Sequence, residues 1–185
     1  MGWLLQNPPV RAKNTKIVFV LGGTRSGKSR YALSLAEPYG TKVFIATAQA
    51  LDGEMAQRIK AHQRERGEAF RTIEEPYDLG RAVQALPPDT GVAVIDCLTV
   101  WLGNLLYKYG ELPNQMREID SLFETLQAPP CDLIIVSNEI GLGIVPGDKQ
   151  SRRFRDVMGG INQRVAAMAD EAVFMVSGLP LKLKG

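Results

Sequence analysis

The sequence predicts an α/β protein built on a mostly parallel sheet. Three observations carry that expectation. Five apolar, β-branched runs recur along the chain, continuous rather than alternating, as strands covered on both faces require. Segments suited to helices lie between them, so strand and helix alternate. The carboxyl ends of the runs repeatedly carry polar residues, which is where ligands sit in such folds. These are the glycine-rich stretch from Gly22, then Thr47, then Asp96, then Asn138 with Glu139.

The first run, KIVFVLGG over 16–23, ends in glycines and reads as a buried strand. A helix over 27–37 follows and stops before Pro38. TKVFIATA over 41–48 is the second strand, and a helix over 53–66 comes after it. A short helix is expected over 78–86. GVAVIDCLTV over 91–100 is the third strand and reaches Asp96 after an apolar run. A helix over 114–127 precedes DLIIVSNE over 132–139, the fourth strand. GLGIVPG over 141–147 is the loop richest in glycine and proline. The helix over 150–169 carries Gly159 and Gly160 in its middle, which weakens it by about 1 kcal/mol per glycine. EAVFMVSG over 171–178 is the fifth strand. No internal repeat or low-complexity segment interrupts this order.

A chain of 185 residues makes one domain, here over 16–185, with 1–15 read as a flexible extension. That length buries a core without disulfides or metals. A net charge of +2 argues against a general nucleic-acid or membrane surface, so any electrostatic argument must be local. Cys97 and Cys131 form no CxxC pair, which argues against zinc and a disulfide framework and fits a reducing compartment. The opening residues do not read as a secretory signal: their apolar stretch is short, ends in Asn-Pro-Pro and precedes the basic residues. No run is long enough to span a bilayer. The expected location is the cytoplasm.

Gly22, Gly23, Thr24, Arg25, Ser26, Gly27, Lys28 and Ser29 fit the pattern G-x-x-x-x-G-K-[ST]. Glycines let the backbone turn tightly, so successive N–H groups point into one concavity and meet phosphate oxygens. Lys28 adds a point charge at the β- and γ-phosphates, and the Ser29 hydroxyl can complete the shell of Mg²⁺. The following helix turns its positive end toward the anion. Nucleoside triphosphate binding is therefore expected. Asp96, ending an apolar strand, is expected as the second magnesium-organising group. Asn-Lys-x-Asp, the guanine-reading motif of signalling GTPases, is absent, and Ser137-Asn138-Glu139 stands where it would lie.

The single histidine, His62, lies in RIKAHQRERG over 58–67. On a helix, Met55, Ile59 and His62 share one face, which fits a packed histidine. Arg58, His62 and Arg66 also stack at successive turns. Those guanidiniums would disfavour imidazolium, leaving a neutral, nucleophilic ring, and would attract a polyphosphate. Both readings stand on the residues alone.

GGTRSGKSRYA, IATAQALDGEMAQRIKAHQRER, TIEE, NEIGLGIVP and RRFRDVMGGINQRVAAMADE resemble the bifunctional adenosylcobinamide kinase / adenosylcobinamide-phosphate guanylyltransferase family of cobalamin biosynthesis. The resemblance runs from about Ile17 to Lys184. It implies a RecA-like P-loop sheet and a trimeric assembly. It implies phosphorylation of adenosylcobinamide by ATP or GTP, then GMP transfer from GTP to adenosylcobinamide phosphate through a guanylylated histidine. His62 matches that histidine, and Ala61 stands where some members carry a second one. Lys28 is the other expected catalytic residue, because its charge stabilises the transferring phosphoryl group. Ala46, Thr47, Ala48, Gln63, Arg64, Glu65, Arg66, Glu74 and Asp96 match positions that contact guanine nucleotide. The extension before Ile17 is longer than the family's usual one. Two other readings compete: a simple P-loop small-molecule kinase in which His62 only packs, and a nucleotide-dependent switch without small-molecule chemistry.

Overall fold

The computed structural model describes residues 15–49, 53, 57, 69–113 and 115–185. Seven strands form one sheet in the order β3-β2-β4-β5-β1-β6-β7. They are β1 (Ile17–Gly22), β2 (Lys42–Ala46), β3 (Arg71–Glu74), β4 (Val92–Asp96), β5 (Asp132–Asn138), β6 (Glu171–Val176) and β7 (Leu179–Lys184). All pairings are parallel except β6 with β7. Five helices are described: α1 (Lys28–Ala36), α2 (Leu79–Gln84), α3 (Leu98–Tyr109), α4 (Arg117–Gln127) and α5 (Lys149–Met168). This is the mostly parallel P-loop sheet that the sequence and its resemblance imply.

The continuous apolar runs are explained by burial on both faces. Ile17, Phe19 and Leu21 of β1 join a large core with α2, α3, α4 and α5. Val18 and Val20 point to the opposite face and pack against Ala32 and Ala36 of α1. Side-chain alternation is intact, but both sets are apolar because both faces are covered.

Boundaries shift where several signals overlap. The run over 91–100 reads as one strand, yet β4 stops at Asp96 and α3 begins at Leu98. Leu98, Trp101, Leu102 and Leu105 are fully buried at helical spacing. Strand and helix are both apolar here, so composition hid the junction. The helix expected from 114 starts at Arg117 instead. Two strands escaped the sequence reading. β3 is a short edge strand of four residues, three of them exposed, with no apolar run to announce it. β7 has the period-2 sequence LPLKLK, and the residues before it, Ser177 and Gly178, both take positive φ (51° and 84°). Such a two-residue turn closes a tight hairpin.

α5 runs unbroken through Gly159 and Gly160. Its start is fixed by Asp148, whose carboxylate accepts the Ser151 N–H at 2.7 Å. The helix expected over 53–66 lies, but for Gly53 and Gln57, outside the described residues, as do residues 1–14 of the expected extension. Among the described residues no helix is long and apolar enough to cross a membrane.

Candidate nucleotide site

Residues 22–29 form the turn from β1 into α1. Gly22 has φ 151°, and a Cβ there would stand 2.6 Å from the Met175 carbonyl oxygen, so no larger residue fits without displacing β6. Gly27 caps α1 at φ 93° and brings no side-chain oxygen to the helix start. The first N–H groups of α1 therefore lack a local side-chain acceptor, which suits an anion. Neighbouring strands pin the loop on two sides. The Gly22 carbonyl accepts the Glu139 N–H at 3.2 Å, just past β5, and the Ser26 carbonyl accepts the Gly178 N–H at 3.0 Å in the β6–β7 turn.

Lys28 is only 7% exposed. Its ammonium donates to the Gly23 carbonyl at 2.6 Å. Burial lowers its pKa from the ordinary lysine value, and negative charge at Cys97 and Asp96 works against that shift. The Cys97 part requires a thiolate. Burial, and then the Asp96 charge, push the Cys97 thiol up to about 12, so Asp96 is the anion that matters at neutral pH. The hydroxyl of Ser26 is buried without a hydrogen-bond partner. In a loop that bends around a concavity, such an orphan group fits an oxygen-rich ligand.

The strand order gathers the other expected residues. Ala46 ends β2 and lies in register with Glu74 on one side and Asp96 on the other. Thr47 follows and is fully buried. Its hydroxyl donates within reach of the Asp96 and Cys97 carbonyls (3.1 and 3.0 Å) and accepts the Cys97 N–H at 2.8 Å. Asn104 of α3 donates to the Thr47 carbonyl at 2.7 Å. The Thr47 side chain thus fixes the end of β4, where Asp96 sits. Ala48 is half-buried and Glu74 exposed at the sheet edge. Thr24, Arg25, Ser29 and the rest of the loop lie together at the β1–α1 junction. His62, Gln63, Arg64, Glu65 and Arg66 lie outside the described residues.

A supporting network went unread in the sequence. Ser137 donates to Asn162 Oδ1 at 2.8 Å, and Asn162 Nδ2 donates to the Asn138 carbonyl at 3.1 Å. Thr99 accepts the Asn138 N–H at 2.9 Å. Together these fix the end of β5 against α3 and α5. The available signal was a polar residue on an apolar helical face: Asn162 lies between Met158 and Val165.

The donor set at the loop fits Mg²⁺. Ser29 and Asp96 are half-buried and offer a hydroxyl and a carboxylate, hard oxygens that suit an ion also held by phosphates and water. Among the described residues no cluster of three or more His, Cys, Asp or Glu could hold a metal alone.

Comparison with known proteins converges. The family model described as cobinamide kinase / cobinamide phosphate guanyltransferase matches residues 18–183. The chain is 44% identical over 168 residues to the bifunctional adenosylcobalamin biosynthesis protein CobP of Pseudomonas aeruginosa (strain PAO1), covering 90% of this chain and 96% of that protein. It is 38% identical over 180 residues to the bifunctional adenosylcobalamin biosynthesis protein CobU of Escherichia coli (strain K12), covering 91% and 99%. The corresponding protein of Salmonella typhimurium (strain LT2) is 39% identical over 181 residues, again covering 91% and 99%.

Proposed function

The chain belongs to the cobinamide kinase / cobinamide phosphate guanyltransferase family, and we propose that it carries out both reactions around the loop over 22–29. It is a bifunctional enzyme of adenosylcobalamin biosynthesis, a kinase and a guanylyltransferase. In the first reaction the terminal hydroxyl of adenosylcobinamide attacks the γ-phosphorus of ATP or GTP. The nucleoside diphosphate leaves and adenosylcobinamide phosphate forms. Lys28 and the loop N–H groups hold the β- and γ-phosphates and meet the charge that develops on the transferring group. Ser29 and Asp96 would hold Mg²⁺, which neutralises phosphate charge.

In the second reaction a ring nitrogen of His62 attacks the α-phosphorus of GTP. A P–N bond forms and pyrophosphate leaves. A phosphate oxygen of adenosylcobinamide phosphate then attacks that phosphorus, the P–N bond breaks, and adenosyl-GDP-cobinamide is released. Dividing the transfer in this way means that the corrinoid and the triphosphate need not be aligned together for one step. Arg64 and Arg66 would hold phosphates, Gln63 and Glu65 would contact the rest of the guanine nucleotide, and Ala46, Ala48 and Glu74 would lie along the nucleoside, with Thr47 behind them securing the end of β4. We take the enzyme to be a cytoplasmic homotrimer, which sedimentation can measure.

The observation that carries this reading is the phosphate loop in its structural context, with the charge of Asp96 close enough to act on Lys28, in a chain that matches the family from residue 18 to 183. Intact-mass spectrometry of the protein mixed with GTP and Mg²⁺ tests the histidine step. Wild type gains one GMP at His62, and His62→Ala gains none while still phosphorylating adenosylcobinamide. Wild type that stays unlabelled under these conditions rules the covalent route out.

A further inference from the structure

α5 remains helical through Gly159 and Gly160, and a Cβ at either position would meet no atom within 4 Å. Packing within the described chain does not demand glycine there, and helix propensity argues against it. Both residues line an open cleft of about 710 Å³. The loop over 141–147 also lines it, through Gly141, Gly143 and Val145, so main chain is laid bare on two sides. Val145 is 66% exposed within that lining, and Leu142 and Ile144, which alternate with the lining residues of the loop, are 77% and 97% exposed. Arg153, Arg155 and Arg164 bring positive charge to the lining, against one carboxylate, Asp156.

The cleft adjoins the nucleotide site. The N–H of Glu139 binds the Gly22 carbonyl of the phosphate loop at 3.2 Å. Its Oε1 accepts the Gly141 N–H at 2.8 Å, and Gly141 is already part of the lining. From the other wall, Asn162 of α5 bonds to Ser137 and Asn138 at the end of β5.

We infer that this cleft is the acceptor site, taking one edge of the corrinoid ring together with the arm that receives phosphate and then GMP. The inference rests on the function proposed above. A corrinoid is broad, flat and fringed with neutral amides. The glycines let such an edge come close to the main chain, where spare carbonyl lone pairs can accept its amide N–H groups, and the exposed Val145 side chain meets its methyl groups. The arginines have no charge to meet on adenosylcobinamide itself. They meet one once the arm carries phosphate. Two already have other contacts: Arg153 donates to the Leu112 carbonyl at 2.8 Å, and the Arg164 guanidinium lies 3.5 Å over the Phe123 ring. Arg155 approaches Asp156 loosely, at 3.9 Å, and also lines the smaller neighbouring cavity of about 270 Å³. It is the arginine to test.

Gly160→Leu fills the cleft while improving helix propensity, so its fold is retained or strengthened. The expected result is a rise of about tenfold in KM for both acceptors, with no fall in Tm. KM for GTP and the yield of GMP adduct from GTP alone stay at wild-type values. Arg155→Ala raises KM for adenosylcobinamide phosphate more than KM for adenosylcobinamide. Wild-type KM values for both acceptors in Gly160→Leu overturn the inference. So does a change of assembly in that variant, seen by sedimentation, which would place a second copy of the chain in the cleft. Wild-type protein that turns over neither acceptor instead overturns the proposed function, and so the two failures are distinguishable.

Discussion

The ammonium of Lys28 donates to the carbonyl oxygen of Gly23 at 2.6 Å, so the phosphate loop's own backbone holds its cation in place. With the side chain almost fully buried, that charge is positioned before any phosphate arrives. Positioned charge in a partly dry site is worth more than the same charge in water. Lys28→Ala should therefore lower the rate of adenosylcobinamide phosphorylation by about 10²–10³-fold. Initial rates at saturating nucleotide measure it, and near-normal phosphorylation would show that the loop has been given the wrong role. Lys28→Arg should not restore the rate, because a planar guanidinium does not fit the place of a compact ammonium.

Asp96 is tested by its charge. Asp96→Asn keeps the shape at the end of β4 but weakens a hard-oxygen site for Mg²⁺. The Mg²⁺ concentration for half-maximal phosphorylation should rise by about tenfold or more. An unchanged Mg²⁺ dependence removes Asp96 from the metal site.

Thr47 is a test of the scaffold. Its hydroxyl accepts the Cys97 N–H at 2.8 Å in a fully buried position. Thr47→Val leaves that N–H unsatisfied and should destabilise the fold by about 1–3 kcal/mol. Urea unfolding should show a lower midpoint with an unchanged slope. Thr47→Ser, which keeps the hydroxyl, should stay closer to wild type. Equal losses in the two variants would point to packing rather than to the hydrogen bond.

Tyr39 gives a pH signature. Its hydroxyl donates to Asp132 at 2.6 Å, and that bond, followed by burial, pushes the phenol up to about 12 from 10.0. The folded state thus binds this proton more tightly than the unfolded chain does. The associated stability is whole below pH 10 and is lost as pH rises from there through about 12. In an absorbance titration one tyrosine should ionise late, and Tyr39→Phe should remove that late phase. A variant whose alkaline titration matches wild type would mean that the bond to Asp132 does not form in solution.

β4 and α3 mark the limit of reading the chain alone. The apolar run from Val92 to Val100 announced burial but not the change from strand to helix after Asp96, because hydrophobicity is high in both. β7 was legible in principle, through its Leu–Lys alternation after a Ser-Gly turn, whereas β3 had no run to find. The role proposed for His62, which lies outside the described residues, rests on its arginine neighbours and the family resemblance, not on periodicity, which also allowed a packed ring.

The sequence by itself determined the phosphate loop. Its turn depends on backbone angles at Gly22 and Gly27 and on contacts a few residues apart, such as Ser26 N–H to the Gly23 carbonyl, so eight adjacent residues suffice to encode it. It also determined the class of fold, since burial on both faces of a parallel sheet leaves continuous apolar runs. Only the tertiary structure decided that Glu74, Ala46 and Asp96 stand side by side, that Thr47 secures the end of β4, and that the loop over 141–147 faces Gly159 and Gly160 across a cleft. Those relations depend on strand order and on contacts between distant segments. Spacing along a chain records which face a residue takes, but not which segment will lie against it.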